Sequence, residues 1–167
     1  SVLCEALGMS VLYYDRQEKL QLGNAVKCDS LEELLGKVDV VTLHVDGNPN
    51  NANLFGKNEF NKMKKGAIFM NLSRGHIVDI DALKQALISK HLSYACVDVY
   101  PDEPKNNQEP FKSPLIELDN AILTPHIAGS TIEAQENIGK FVANTLINYF
   151  ATGSSTLNVN LPDIALP

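Results

Sequence analysis

No stretch of this 167-residue sequence reaches the roughly 18 consecutive apolar residues that a membrane-spanning helix needs. No basic segment leads into an apolar one at its N-terminus. Both absences predict a protein with no membrane partner. Cysteine is scarce. Cys4, Cys28 and Cys96 are the only three, an odd number without a C-x-x-C pair. That usage argues against a disulfide framework and against a metal site, and it predicts a reducing, cytoplasmic setting. Basic clusters are almost missing: net charge is −6, and only "KMKKG", Lys62 to Gly66, gathers cations. A solvated helix end accounts for that cluster, so no nucleic-acid partner is expected. Tryptophan is absent, and there is no internal repeat. The patterns G-x-S-x-G, H-E-x-x-H and Walker A do not occur, which sets aside serine-elbow hydrolases, zincins and P-loop enzymes. The dinucleotide fingerprint G-x-G-x-x-G is missing too.

What remains is 44% hydrophobic and 20% charged, the balance of one globular domain rather than of a disordered or coiled-coil chain. Along it, strand-like and helix-like segments alternate. "SVLYYD" ends a strand at Asp15. "NAVKCD" is a second short strand, followed by Ser30 with Glu33 three residues on, the spacing of a capping box, opening the helix "LEELLGKV". "VDVVTLHV" is a β-branched run of the kind buried on both faces of a parallel sheet. "GAIFMNL" and "LSYACVDVY" are further strands, separated by the helix "ALKQALISKH", which Asp79 or Asp81 caps. A loop rich in Pro and Asn spans 101–114. The strand "NAILTPH" is cut off at Pro125, and a long helix follows Thr131. That helix carries Ile138, Val142, Thr145, Leu146 and Tyr149 at helical spacing, a stripe expected to pack into a core, with a partner or a further lobe as the alternative, and Gly153 stops it. "SVLCEALGMS" reads as the back half of a helix ended by Gly8, with the expectation of a missing upstream part. The alternation implies α/β architecture, a doubly wound parallel sheet, incomplete at its N-terminus.

In such sheets ligands bind beyond the carboxyl ends of the strands. Asp15, His44, Arg74, Asp98 and His126 all stand at or just past predicted strand ends. Asp15 suits the hydroxyls of an adenosine ribose, although an Asp after a strand is also a common turn residue. Arg74 offers a planar fork that matches a carboxylate in two parallel bonds; a surface ion pair is the plainer alternative. His126, after "LTP", titrates near neutrality and can exchange a proton with an alcohol, or simply pack beside Pro125. Glu103 in "VDVYPDEP" could orient that histidine, yet the pattern does not separate it from Asp102. Taken singly each residue has a bland account; an Arg, a Glu and a His on three strand ends form a plausible site.

"LYYD", "KLQLGNA", "VVTLHV", "MNLSRGHIVD", "VDVYPDEP" and "LTPHIAGSTIEAQENIG", in this order, cover almost the whole chain. The sequence resembles the D-isomer-specific 2-hydroxyacid dehydrogenases, and within them the branch acting on 3-phosphoglycerate. The resemblance implies a Rossmann-like NAD-binding domain over 1–130 without its glycine-rich loop, a helix over 131–152 returning toward a substrate lobe, and a linker over 153–167 toward a regulatory domain. It implies NAD as cofactor, a phosphorylated 2-hydroxy acid as small-molecule substrate, and a homo-oligomer. Arg74 would bind the substrate carboxylate and carbonyl oxygen, His126 would be the acid/base and Glu103 its partner. Asp15 would hold the adenosine ribose. His44 would contact the cofactor through its backbone, and Leu72, Ser73, Arg74, Asp98, His126, Ile127, Ala128 and Gly129 would line the nicotinamide side. Asp46 stands where the family has proline, which implies a changed loop, and Ala128 replaces a glycine. The alternatives are a dehydrogenase for another 2-hydroxy acid, such as glycerate or lactate, and a non-catalytic NAD(H)-sensing module.

Overall fold

A computed structural model describes residues 1–104, 106 and 108–154. The predicted linker, from 155 onward, lies outside the described residues, as do Lys105 and Asn107 of the long loop. The chain divides into two compact units, Ser1–Pro125 and His126–Pro167.

The first unit is α/β with every strand pair parallel. After α1 (Val2–Ala6), strands β1 (Leu12–Tyr13) and β2 (Val26–Lys27) form a two-stranded sheet. Then come α2 (Leu31–Lys37), β3 (Val40–Leu43), α3 (Lys57–Lys62), β4 (Ala67–Asn71), α4 (Ile80–Ile88), β5 (Leu92–Val97) and β6 (Ala121–Leu123). Strands β3 to β6 make a four-stranded sheet in the order β3-β4-β5-β6. The expected single sheet is therefore two. A doubly wound sheet runs 3-2-1-4-5-6. Among the described strands, β1 and β2 pair only with each other, and β3 to β6 only among themselves.

Local chemistry explains most boundaries. Ser30 Oγ accepts the Glu33 N–H at 3.1 Å, as the capping box requires, but the Glu33 carboxylate reaches one residue further back, to the Asp29 N–H at 2.8 Å. Asp79, not Asp81, caps α4, its Oδ1 accepting from the N–H groups of Asp81 and Ala82 at 3.1 and 3.0 Å. His91 Nε2 lies 2.9 and 3.1 Å from the carbonyls of Phe60 and Met63 at the end of α3, where backbone acceptors lack helical partners. Lys62 and Lys64 of the basic cluster pair with Glu32 and Asp39, both at 2.8 Å.

The core lies on one face of the four-stranded sheet. Val41, Leu43, Ala67, Phe69, Leu92, Ala95 and Val97 point there and meet Leu35 of α2, Phe60 of α3 and Leu83 and Leu87 of α4. Phe55, Phe60 and Phe69 form an aromatic triangle with centroid separations of 5.1 to 6.0 Å. The opposite face is more open: Val40, Tyr94 and Ile122 are exposed. The run "VDVVTLHV" is thus buried on one face only: Val41 and Leu43 face the helices that cover the core, while Val40 and Thr42 on the alternate phase are exposed.

The second unit is, among the described residues, a short loop and α5 (Ile132–Thr152), capped by Thr131 and ended by Gly153 at φ +68°. None of its residues is buried. Ile138, Val142, Leu146 and Tyr149 are all exposed, so the expectation that this stripe packs into a core is not met. The stripe's spacing is what made the helix legible, but spacing does not specify a packing partner.

Candidate functional site

The carboxyl ends of β4, β5 and β6 carry a connected polar set. β4 closes on Asn71, buried within an otherwise apolar strand. Its Oδ1 accepts from Ser73 N–H at 3.2 Å and Ser73 Oγ at 2.8 Å, and its Nδ2 donates to the Arg74 carbonyl at 3.1 Å. This turn presents the exposed Arg74, whose Nη1 donates back to the Ser73 carbonyl at 2.6 Å. Among the described residues no carboxylate forms an ion pair with Arg74. Leu72 is exposed beside it.

Two glycines bring other loops to this turn. A Cβ on Gly75 would lie 1.9 Å from the Tyr100 carbonyl carbon, so only glycine lets the turn press against the loop after β5. A Cβ on Gly47 would lie 3.4 Å from Arg74 Cγ, which places the loop after β3 along the arginine stem. In that loop Asp46, the departure from proline, is held by Asn51, whose Nδ2 donates to its Oδ1 at 2.6 Å. His44, just before, has Nε2 3.1 Å from Thr42 Oγ1.

Past β5, the Asp98 N–H donates to the Asn71 carbonyl at 3.1 Å, and its carboxylate accepts from Thr124 Oγ1 at the end of β6. Tyr100 is buried and ties the segment down. Its hydroxyl lies 2.8 Å from the carbonyls of Val97 and Thr124, and its N–H donates to Glu103 Oε1 at 3.0 Å. Burial, followed by the negative charge of Asp98, pushes the Tyr100 phenol up to about 12. Glu103, not Asp102, is thus the carboxylate tied to the strand end.

The structure brings together the segments of His44, Leu72, Ser73, Arg74, Asp98 and Glu103. Asp15 stands on the other sheet, past β1, where its Oδ1 accepts the Gln17 N–H at 2.8 Å. His126 opens the second unit with φ +52°, a left-handed backbone that few non-glycine residues adopt. Ile127 accepts from the Ser130 N–H at 2.9 Å, and Gly129 accepts from Gln135; Ala128 lies between them. Among the described residues no group of three His, Cys, Asp or Glu side chains could hold a metal ion, the cysteines are free, and no helix is long and apolar enough to cross a membrane. Asn71, Tyr100 and Thr124 went unmarked in the sequence. The one signal was Asn71, a polar residue on the core-facing phase of "AIFMN".

Parallel strands with flanking helices and a polar carboxyl edge are those of an α/β domain that binds ligands at the carboxyl ends of its strands. The chain belongs to the D-isomer specific 2-hydroxyacid dehydrogenases, whose NAD binding domain matches residues 1–128. It is 53% identical over 166 residues to D-3-phosphoglycerate dehydrogenase of Escherichia coli K12, covering 99% of this chain and 40% of that protein. It is 52% identical over 167 residues to the Haemophilus influenzae D-3-phosphoglycerate dehydrogenase, covering 100% and 41%. A solved D-lactate dehydrogenase from a Sporolactobacillus species superposes with a TM-score of 0.77 at 32% identity, covering 95% of this chain and 51% of that one. The chain therefore spans about two fifths of the length of these curated relatives. Its donor set fits NAD at two places: the Asp15 carboxylate suits ribose hydroxyls, and the polar edge of β4 to β6 suits an amide-bearing ring. No glycine fingerprint for a pyrophosphate is present in the 167 residues.

Proposed function

We propose that the protein oxidises 3-phosphoglycerate to 3-phosphohydroxypyruvate with NAD, the entry step of serine synthesis, and that this chain forms its NAD-binding domain. The observation that carries the reading is Arg74. It is a guanidinium on a buried turn at the ligand-binding edge of the sheet, with no carboxylate partner among the described residues. A 2-hydroxy acid presents the carboxylate that such a fork grips in two parallel bonds. Identity to two D-3-phosphoglycerate dehydrogenases supports the phosphorylated acid over glycerate or lactate.

Bound NAD supplies the hydride acceptor. Arg74 holds the substrate carboxylate and the developing carbonyl oxygen, which orients the carbon that loses hydride. His126 takes the hydroxyl proton, with Glu103 as its partner in this reading. Asp15 holds the adenosine ribose. His44, Leu72, Ser73, Asp98, Ile127, Ala128 and Gly129 border the nicotinamide side. In this reading the helix over 131–152 returns toward a substrate lobe, and the protein is a cytoplasmic homo-oligomer without nucleic-acid or membrane partners.

The test is turnover by the full-length protein with NAD and 3-phosphoglycerate, glycerate or lactate. The expected result is the highest kcat/KM for 3-phosphoglycerate. His126→Asn is expected to cost about 10²–10⁴-fold, the usual worth of general acid–base assistance, and Arg74→Ala a loss of similar order. Near-wild-type rates in both variants, or a preference for an unphosphorylated acid, would overturn the reading.

A further inference from the structure

We infer that Asn71 is a positioning residue for Arg74: one buried amide sets the backbone from which the guanidinium projects. The inference rests on the role proposed above for Arg74. Asn71 is 1% exposed and ends β4 in register between Leu43 of β3 and Val97 of β5. Its own backbone is therefore held from both sides. Beyond it the chain leaves the sheet, and the next backbone groups lose their ladder partners. The side chain replaces them. Oδ1 accepts from the Ser73 N–H and hydroxyl at 3.2 and 2.8 Å, and Nδ2 donates to the Arg74 carbonyl at 3.1 Å.

Ser73 is itself buried at 5% exposure, so its donors have little access to water. Removing their acceptor leaves buried polar groups unsatisfied, the costly case for a hydrogen bond. The turn must then rearrange, and Arg74 moves with it. The turn has little slack on its far side, since Gly75, directly after the arginine, is pressed onto the Tyr100 backbone. Asn71 faces the core side of the strand and acts only through its neighbours. Its loss is therefore a loss of alignment rather than of a binding group, and misplacement of a clamp by about 1 Å can cost about 10²-fold in rate.

A double-mutant cycle on the full-length protein tests this, with kcat/KM measured for whichever 2-hydroxy acid the wild type oxidises. Asn71→Ala is expected to lower kcat/KM by about 10²-fold, and Asn71→Ala/Arg74→Ala to be no worse than Arg74→Ala alone, because residues that act as a unit are not additive. Asn71→Asp keeps the acceptor for Ser73 and removes the donor to the Arg74 carbonyl. It serves as the second variant if thermal melting shows the alanine protein unfolded, and the same non-additivity is expected of it. Losses that multiply, so that the Asn71 change costs as much without the guanidinium as with it, overturn the inference and leave the proposed reaction standing. A wild type that prefers another 2-hydroxy acid overturns the substrate assignment while the cycle still decides the role of Asn71. A wild type inactive on every 2-hydroxy acid overturns both.

Discussion

Tyr100 shows how a residue outside the chemistry can organise a strand edge. Its hydroxyl has one proton and two carbonyls at 2.8 Å, on Val97 and Thr124, so it donates to one at a time and keeps the ends of β5 and β6 together. Its ring meets Phe111 edge-on with centroids 4.6 Å apart. Burial and the charge of Asp98 hold its ionisation near 12, against 10.0 for an unperturbed phenol. The folded chain thus binds this proton more tightly than the unfolded chain does. The resulting stability is fully present below about pH 10 and is lost as pH rises through about 12. Of five tyrosines, one should titrate near that upper value by tyrosinate absorbance. Tyr100→Phe should remove the step and lessen the alkaline loss of stability.

At the scale of elements, β4 carries both the core and the site. Phe69, on its core-facing phase, is fully buried and touches both Phe55 and Phe60, at 5.4 and 5.1 Å between centroids. Phe69→Ala should cost about 3–5 kcal/mol, because the removed ring leaves a cavity that the surrounding strands and helices fill only in part. A fall in the urea midpoint with an unchanged slope would show it; a loss under about 1 kcal/mol would mean that the triangle repacks. α5 carries the opposite lesson. Both helices carry apolar residues at helical spacing, yet α4 buries Leu83, Ala86 and Leu87 and α5 buries nothing. Periodicity specifies a helix and its apolar side, while burial depends on what lies across from it.

At the scale of the whole molecule, the residues proposed for the two ends of the cofactor stand on different sheets. Asp15 follows β1 of the two-stranded sheet, and Arg74 and Asp98 follow β4 and β5 of the four-stranded one. Their contributions should therefore separate. In the full-length protein, Asp15→Asn should lower the preference for NAD over NADP by roughly tenfold, the worth of one hydrogen bond to a charged group. The KM for the 2-hydroxy acid should stay that of the wild type. An unchanged coenzyme ratio in steady-state kinetics would remove Asp15 from the ribose site.

The sequence by itself determined the alternation of strands and helices, their parallel pairing, and the placing of Asp15, His44, Arg74 and Asp98 at strand ends. These follow from residue period and cap chemistry, which act over a few neighbours. Tertiary structure alone decided which face of β3 is covered, that the sheet divides in two, and that Glu103 rather than Asp102 is tied to the strand end. It alone showed Asn71 and Tyr100 to be the fasteners of the edge. Tyr100 makes its bond to Thr124 across 24 residues, a distance no local pattern spans. Asn71 bonds residues only two and three positions away, but those bonds matter because β3 and β5 enclose it, and that enclosure exists only in the folded sheet.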